Sequence, residues 1–318
     1  MDYGFNIPNR GPLADPDSIA KIARRAEALG YAILAVPDHI VMPLAIDSRY
    51  PYSETGDYPG GPGGDCLEQL NLMAYLAAVT SHARLLSSVM VVPHRPPVMT
   101  AKMIATIDVL SGGRVILGCG AGWMREEFEA IGAPPFDKRG RVTDEYIRVF
   151  RELWCADQPG FEGEYARFAD IAFLPKPVQK PHPPIWTGGE SGPALRRAGL
   201  LADGWYPIGG NPRYPLDTPA RYGKALDTVL EVAEEAGRDP AAITRAFWAN
   251  WYSERERTDD SGGRRIFTGG PEQVAQDIGW LKDAGVVHVL VSFLAPTLAE
   301  TLDRMARFAA EVVPRVGD

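Results

Sequence analysis

The sequence predicts an α/β fold in which eight strands alternate with eight helices and close into a (β/α)8 barrel. Three observations carry this. Buried-strand and amphipathic-helix patterns alternate along nearly all of the 318 residues, and alternation of that length calls for a parallel sheet with helical crossovers. Eight such units on a chain of this size suit a closed barrel. The alternative is an open doubly wound sheet, but no GxGxxG follows the first strand. PNRGPLADP stands there instead, which cannot cradle a pyrophosphate in the usual way.

The elements follow in order. YGFNI (3–7) alternates as a strand. Asp15 is placed to cap a helix, and Pro16 fits its first turn, where a missing N–H costs nothing. Ile19, Ile22, Ala23, Ala26 and Leu29 fall on one helical face, and Gly30 ends the helix. The apolar run to Val36 is strand two. Further strands are expected at 84–92, 114–118, 184–187, 203–206, 243–250 and 286–293. Helices are expected at 67–80, 97–110, 139–154, 191–201, 218–236, 271–284 and 297–313. The whole of 1–318 reads as one domain. Long insertions lie at 42–65, 155–184 and 250–270. The first and third leave the C-terminal ends of strands two and seven, the face where barrel active sites lie.

Composition narrows the function. The chain is 45 % hydrophobic and 23 % charged, with a net charge of -8. That balance describes a globular protein and argues against nucleic acid or an anionic membrane as the main partner. Cys66, Cys119 and Cys155 show no CxxC spacing and fit a reducing compartment, and the five histidines show no HExxH, so no metal site is expected. No secretory or membrane-spanning pattern is present in the sequence, and a cytoplasmic location is the expectation.

Three stretches at strand ends carry chemistry-bearing residues. AVPDHIVMP ends strand two on Asp38 and His39, a carboxylate beside a group that exchanges protons near neutral pH. VILGCGAGW leaves strand four through Gly118, Gly120, Ala121, Gly122 and Trp123, a spacing that lets backbone approach a flat ligand or simply packs a tight corner. PPIWTGGES sets Gly188, Gly189 and Glu190 before a helix starting near Ser191, where a helix N-terminus favours a phosphate, although Glu190 opposes an anion unless it turns away. In the third insertion, Arg255, Arg257, Arg264 and Arg265 meet Glu254, Glu256, Asp259 and Asp260, a charge-mixed loop that is basic only at Arg264-Arg265.

Taken together and in this order, DH after strand two, LSGGRVILGCGAGWMREEF through strand four, PKPVQKPHPPIWTGGES into strand five and ADGWYP at strand six resemble the bacterial luciferase-like flavin enzyme superfamily, nearly end to end. Within it, the Asp-His pair and strand three look most like the branch that uses the deazaflavin coenzyme F420. The resemblance implies a TIM barrel holding the ring in its mouth, with the phosphate toward the helix after strand five. It implies a cis peptide at Ser88-Val89 supporting the ring, with Ser87 and Ser88 at its edge. Asp38 and His39 become the ring-proximal pair; His39 is the expected proton-transfer or substrate-orienting group, with Asp38 as its partner or as a ring contact. Gly188, Gly189 and Ser191 become the phosphate-side backbone. The coenzyme's acidic tail needs cations outside the ring pocket, and Arg264 and Arg265, in a loop outside the resemblance, are the candidates. A sugar-phosphate dehydrogenase of this branch carries a catalytic Glu where this chain has Trp123, so a sugar phosphate is not the expected substrate. Trp123, Trp205, Tyr206 and Trp248 point to an aromatic-walled pocket for a small organic molecule. The expected activity is hydride transfer between F420 and such a substrate. The alternatives are a reduced-FMN monooxygenase and a non-catalytic flavin-binding relative. A homodimer is the default by analogy.

Overall fold

The structure is a computed structural model that describes residues 1–258 and 262–317. In chain order its elements are β1 (Asp2–Asn6), α1 (Pro16–Ala28), β2 (Ile33–Val36), α2 (Gln69–Val79), β3 (Arg84–Ser87), β4 (Met90–Val91), α3 (Pro97–Ser111) and β5 (Val115–Gly120). There follow α4 (Arg125–Ala130), α5 (Arg139–Cys155), β6 (Phe161–Glu162), β7 (Arg167–Phe168), β8 (Ile185–Thr187), α6 (Gly192–Leu201) and β9 (Gly204–Trp205). The chain continues through α7 (Pro219–Glu235), β10 (Thr244–Ala249), α8 (Pro271–Asp283), β11 (His288–Val291) and α9 (Leu298–Arg307).

The sheet closes. β1 pairs in parallel with both β2 and β11, and the remaining neighbours follow chain order through β3, β5, β8, β9 and β10. β3 and β4 are two parts of one stave, each paired with β5, and the Ser88-Val89 bond between them is cis, as the resemblance implied. The predicted barrel therefore forms from eight parallel staves.

Strand alternation sorts the core into two layers. Ile33, Ala35, Leu86, Ile116, Trp186, Tyr206, Ala246 and Leu290 point inward and fill the barrel. Leu34, Val36, Leu85, Val115 and Leu117 point outward against the helices. The helix starts behave as read: the Asp15 carboxylate accepts from the Ser18 N–H at 2.9 Å, ahead of Pro16. Gly118 is required by close approach, since a Cβ there would lie 2.0 Å from the Ser87 carbonyl oxygen, where β3 meets β5.

Three elements differ from expectation. The 155–184 insertion folds a small antiparallel hairpin, β6–β7. The connection after β5 carries the extra helix α4. The last α-helix stops at Arg307 and gives way to a wider turn over Phe308–Val312, just before Pro314, which cannot continue the ladder. No helix among the described residues is long and apolar enough to cross a membrane.

Candidate active site at the barrel mouth

A cavity of about 660 Å³ opens at the C-terminal ends of the staves. Its floor is the bulge after β3. The Val89 side chain projects into space left by two glycines: a Cβ at Gly120 would lie 2.5 Å from one Val89 methyl, and one at Gly188 would lie 3.5 Å from the other. Ala121, Gly122, Tyr206 and Trp248 also line it. The 42–65 loop folds over the cavity as a lid. Tyr50 packs edge-on against Trp123 at 5.1 Å and against Tyr58 at 5.2 Å, and Tyr58 packs on Trp123 at 5.4 Å. The lid is thus an aromatic cluster resting on Trp123.

His39 and Tyr58 form the polar point of this wall. His39 is buried, and its Nδ1 lies 2.9 Å from Glu127 Oε2. The other Glu127 oxygen accepts from the Ile40 N–H at 2.6 Å and the Val41 N–H at 3.3 Å. On the opposite side, His39 Nε2 lies 3.3 Å from the Tyr58 hydroxyl. Glu127 belongs to α4. Met124, Glu127, Phe128 and Ile131 share one helical face by their spacing, and Met124, Glu127 and Phe128 are buried on it.

Asp38 has a different occupation. Its carboxylate accepts from both Arg95 terminal nitrogens at 2.8 Å each, and from the Val91 N–H at 2.8 Å. Burial would raise this carboxyl, but the Arg95 hydrogen bonds and charge outweigh it and hold it below the usual carboxylate range. The partnership expected between Asp38 and His39 is therefore replaced by Glu127–His39, and Asp38 instead ties the stave after the bulge to Arg95. His94 lies beside both pairs, with both ring nitrogens buried and without a hydrogen-bond partner among the described residues. Burial lowers its basicity, against the pull of Glu127 and Asp38.

At the far end of the cavity the N-terminus of α6 faces in. Gly189 adopts φ 100°, which favours glycine. Ser191 occupies the cap position but its hydroxyl caps nothing in the helix. Arg139 and Arg197 line the same end. Arg197 is buried, pairing with Asp144 and donating to the Gly140 carbonyl at 3.1 Å. A helix N-terminus with two guanidinium groups nearby suits a phosphate.

The remaining expectations divide. Ser88, Val89, Gly120, Ala121, Gly122, Trp123, Gly188, Gly189 and Ser191 come together around the cavity with Asp38 and His39. Ser87 does not: its hydroxyl donates to the Gly118 carbonyl at 3.0 Å and accepts from the Gly118 N–H at 2.9 Å, lacing β3 to β5. Trp205 points outward, stacked on Tyr222 at 5.3 Å. Arg264 is held by Asp277 at 2.7 and 2.8 Å, so it is a structural cation, while Arg265 lies over the Trp251 ring. Asp259 and Asp260 lie outside the described residues.

Glu190, expected among the cofactor-binding residues with Gly188, Gly189 and Ser191, does not line the cavity and is turned away from it. Its carboxylate accepts from the Ile208 N–H at 2.7 Å and from the Asn211 amide at 2.8 Å. Burial pushes its pKa from the ordinary 4.5 up to about 7. The folded protein therefore holds this proton to higher pH than the unfolded chain. Stability falls as pH rises through the window from about 4.5 to 7 and levels off above it, by roughly 3 kcal/mol in all. Glu190→Gln keeps an acceptor for Ile208 and should flatten this slope, seen as denaturant midpoints that fall less than wild type between pH 5 and pH 8. Parallel profiles for the two proteins would refute the assignment.

Compared with known proteins, residues 1–256 match the family described as luciferase-like monooxygenase. An uncharacterised protein of Mycobacterium tuberculosis is 33% identical over 99% of this chain and 96% of its own. An FMNH2-dependent dimethylsulfone monooxygenase of Pseudomonas putida is 37% identical over 45% of this chain and 40% of its own. Among solved structures, the coenzyme F420-dependent tetrahydromethanopterin reductase of Methanopyrus kandleri superposes with a TM-score of 0.76, covering 99% of both chains at 19% identity. At that identity the likeness speaks for the fold alone.

Proposed function

The chain belongs to the luciferase-like monooxygenase family, and from that membership we propose that it is an oxidoreductase dependent on the deazaflavin coenzyme F420, moving a hydride between the coenzyme and a small organic substrate. The observation that carries the reading is the chain from buried Glu127 through buried His39 to half-buried Tyr58 at the edge of the cavity. Hydride transfer to or from a carbon bearing oxygen needs a proton moved at that oxygen, and an imidazole oriented by a carboxylate is suited to it.

The residues present fit such a coenzyme. The cavity lies within the range of ligand sites. Gly120 and Gly188 leave room for the Val89 platform on which a flat ring would rest. Gly189, Ser191, Arg139 and Arg197 would hold the phosphate. When bound, the deazaflavin supplies a carbon centre that accepts or donates a hydride and reacts poorly with oxygen. The protein supplies position, exclusion of water and the proton. The Tyr50, Tyr52, Tyr58 and Trp123 lid would shield the reacting atoms and favour an apolar substrate. With Arg264 held by Asp277, the coenzyme's acidic tail would rely on Arg265 at most. A homodimer is part of the proposal: Met99 and Leu110 on α3, with Leu174 and Val178 in the segment between β7 and β8, are apolar and exposed.

A second reading is a reduced-FMN monooxygenase, favoured by the match to the dimethylsulfone enzyme. Titration with oxidised F420 and with FMN, side by side, separates the two. The deazaflavin should bind at least about tenfold more tightly, a difference of about 1.4 kcal/mol. Tight FMN binding without measurable deazaflavin binding would establish the monooxygenase reading instead.

A further inference from the structure

We propose that Tyr58, carried by the lid, is the group that passes the proton between substrate and protein, with His39 behind it as the proton store. This rests on the hydride-transfer reading above and names a catalytic residue for it.

The donor and acceptor inventory fixes the direction of each hydrogen bond. Arg10 Nη1 donates to the Tyr58 hydroxyl oxygen at 3.0 Å, and a guanidinium cannot accept. The Glu127 carboxylate already accepts two backbone N–H groups and offers His39 Nδ1 only an acceptor. A neutral His39 must therefore carry its hydrogen on Nδ1, which leaves a lone pair on Nε2. The one hydrogen on the Tyr58 oxygen then points at that lone pair, across 3.3 Å. The phenol thus faces His39 Nε2, and because it also lines the cavity, a substrate can meet it there.

Protonating His39 reverses this bond. Nε2–H donates to the phenol oxygen, and the Tyr58 hydrogen is released to turn into the cavity. A substrate hydroxyl can thus give its proton to Tyr58 as Tyr58 gives its own to Nε2. Two O–H bonds break, one O–H and one N–H bond form, and no electrons leave the protein. The products are a substrate alkoxide and an imidazolium held against Glu127. In the reverse direction the same two transfers protonate an alkoxide. Arg10 stabilises any negative charge passing through the phenol. It also donates to the Gly60 and Gly63 carbonyls at 3.3 and 3.1 Å, so the same side chain fastens the lid. The substrate implied is a neutral hydroxyl or carbonyl compound, since the wall around this point is aromatic.

The test begins without ligand. In protein carrying 15N-labelled histidine, at a pH where His39 is neutral, Nδ1 should be protonated and Nε2 unprotonated. Tyr58→Phe should move the Nε2 resonance and leave Nδ1 in place. An Nε2-protonated tautomer, or an Nε2 signal indifferent to Tyr58→Phe, overturns the proposal. The second readout uses oxidised F420 with a panel of small primary and secondary alcohols. Tyr58→Phe should lose about 10²-fold in kcat with coenzyme affinity and KM within about threefold, whereas a merely structural lid role would raise KM. A kcat within threefold of wild type also overturns it. Failure of wild type to bind F420 would instead sink the coenzyme reading, and the tautomer result would still decide the hydrogen-bond chain.

Discussion

Replacing His39 with Asn should lower turnover by about 10²- to 10⁴-fold while changing coenzyme affinity little. The substitution is chosen for what it keeps. The introduced side-chain amide can still donate toward Glu127, so the buried carboxylate, 1% exposed, retains a partner along with the Ile40 and Val41 N–H groups. What disappears is the second ring nitrogen, the one facing Tyr58. A packing role predicts some loss of stability and nearly full turnover. A proton role predicts the reverse, together with the loss of one limb of the pH–rate profile. Steady-state rates at saturating coenzyme across pH separate the two. A variant within about threefold of wild type, with an unshifted profile, would return the proton to another group.

The second large effect concerns stability. Asp38→Ala should destabilise the fold by about 3 kcal/mol at neutral pH, the lower end of what breaking a buried pair costs. Arg95 would lose both of its Asp38 contacts in a nearly closed site, and Glu68 would remain as a carboxylate partner, at 2.6 Å. The Val91 N–H would lose its acceptor as well. The sign with pH follows from the lowered Asp38 carboxyl. Its contribution is complete above the unfolded carboxylate value of about 3.9 and is lost as pH falls through the lower folded value. The gap between wild type and Asp38→Ala, read from urea unfolding, should therefore be constant from pH 5 to 8 and close in acid. A loss below about 1 kcal/mol at pH 7 would mean that Arg95 re-pairs elsewhere.

The barrel was legible because each unit states itself locally. Asp15-Pro16 opens a helix, Gly30 closes it, and Ile33–Val36 is apolar throughout because both faces of a barrel stave are covered. The mouth was legible in part for the same reason: residues following strand ends must gather there, and Asp38, Val89, Gly120 and Gly188 do. Partnerships were not legible. Asp38 and His39 are adjacent in sequence, yet successive side chains leaving a strand diverge, and each finds its partner some distance along the chain, in Arg95 and Glu127. A signal for Glu127 existed: the spacing of Met124, Phe128 and Ile131 puts it on an apolar face, where a lone carboxylate needs a partner. Ser87 and Trp205 missed the cavity because the pleat turns alternate residues outward, and a short strand leaves no pattern by which to tell which. Tyr58 could not be placed at all, since a loop rich in Gly and Pro has no period to read.

The most direct measurement is the structure of the protein crystallised with oxidised F420. The expected contacts run from the ring to Val89, Gly120 and Gly188 and from the phosphate to Gly189, Ser191 and Arg197, with a reacting edge that leaves room for a substrate between it and Tyr58. A coenzyme bound outside this cavity, or one whose reacting edge faces away from Tyr58 and His39, would contradict this arrangement.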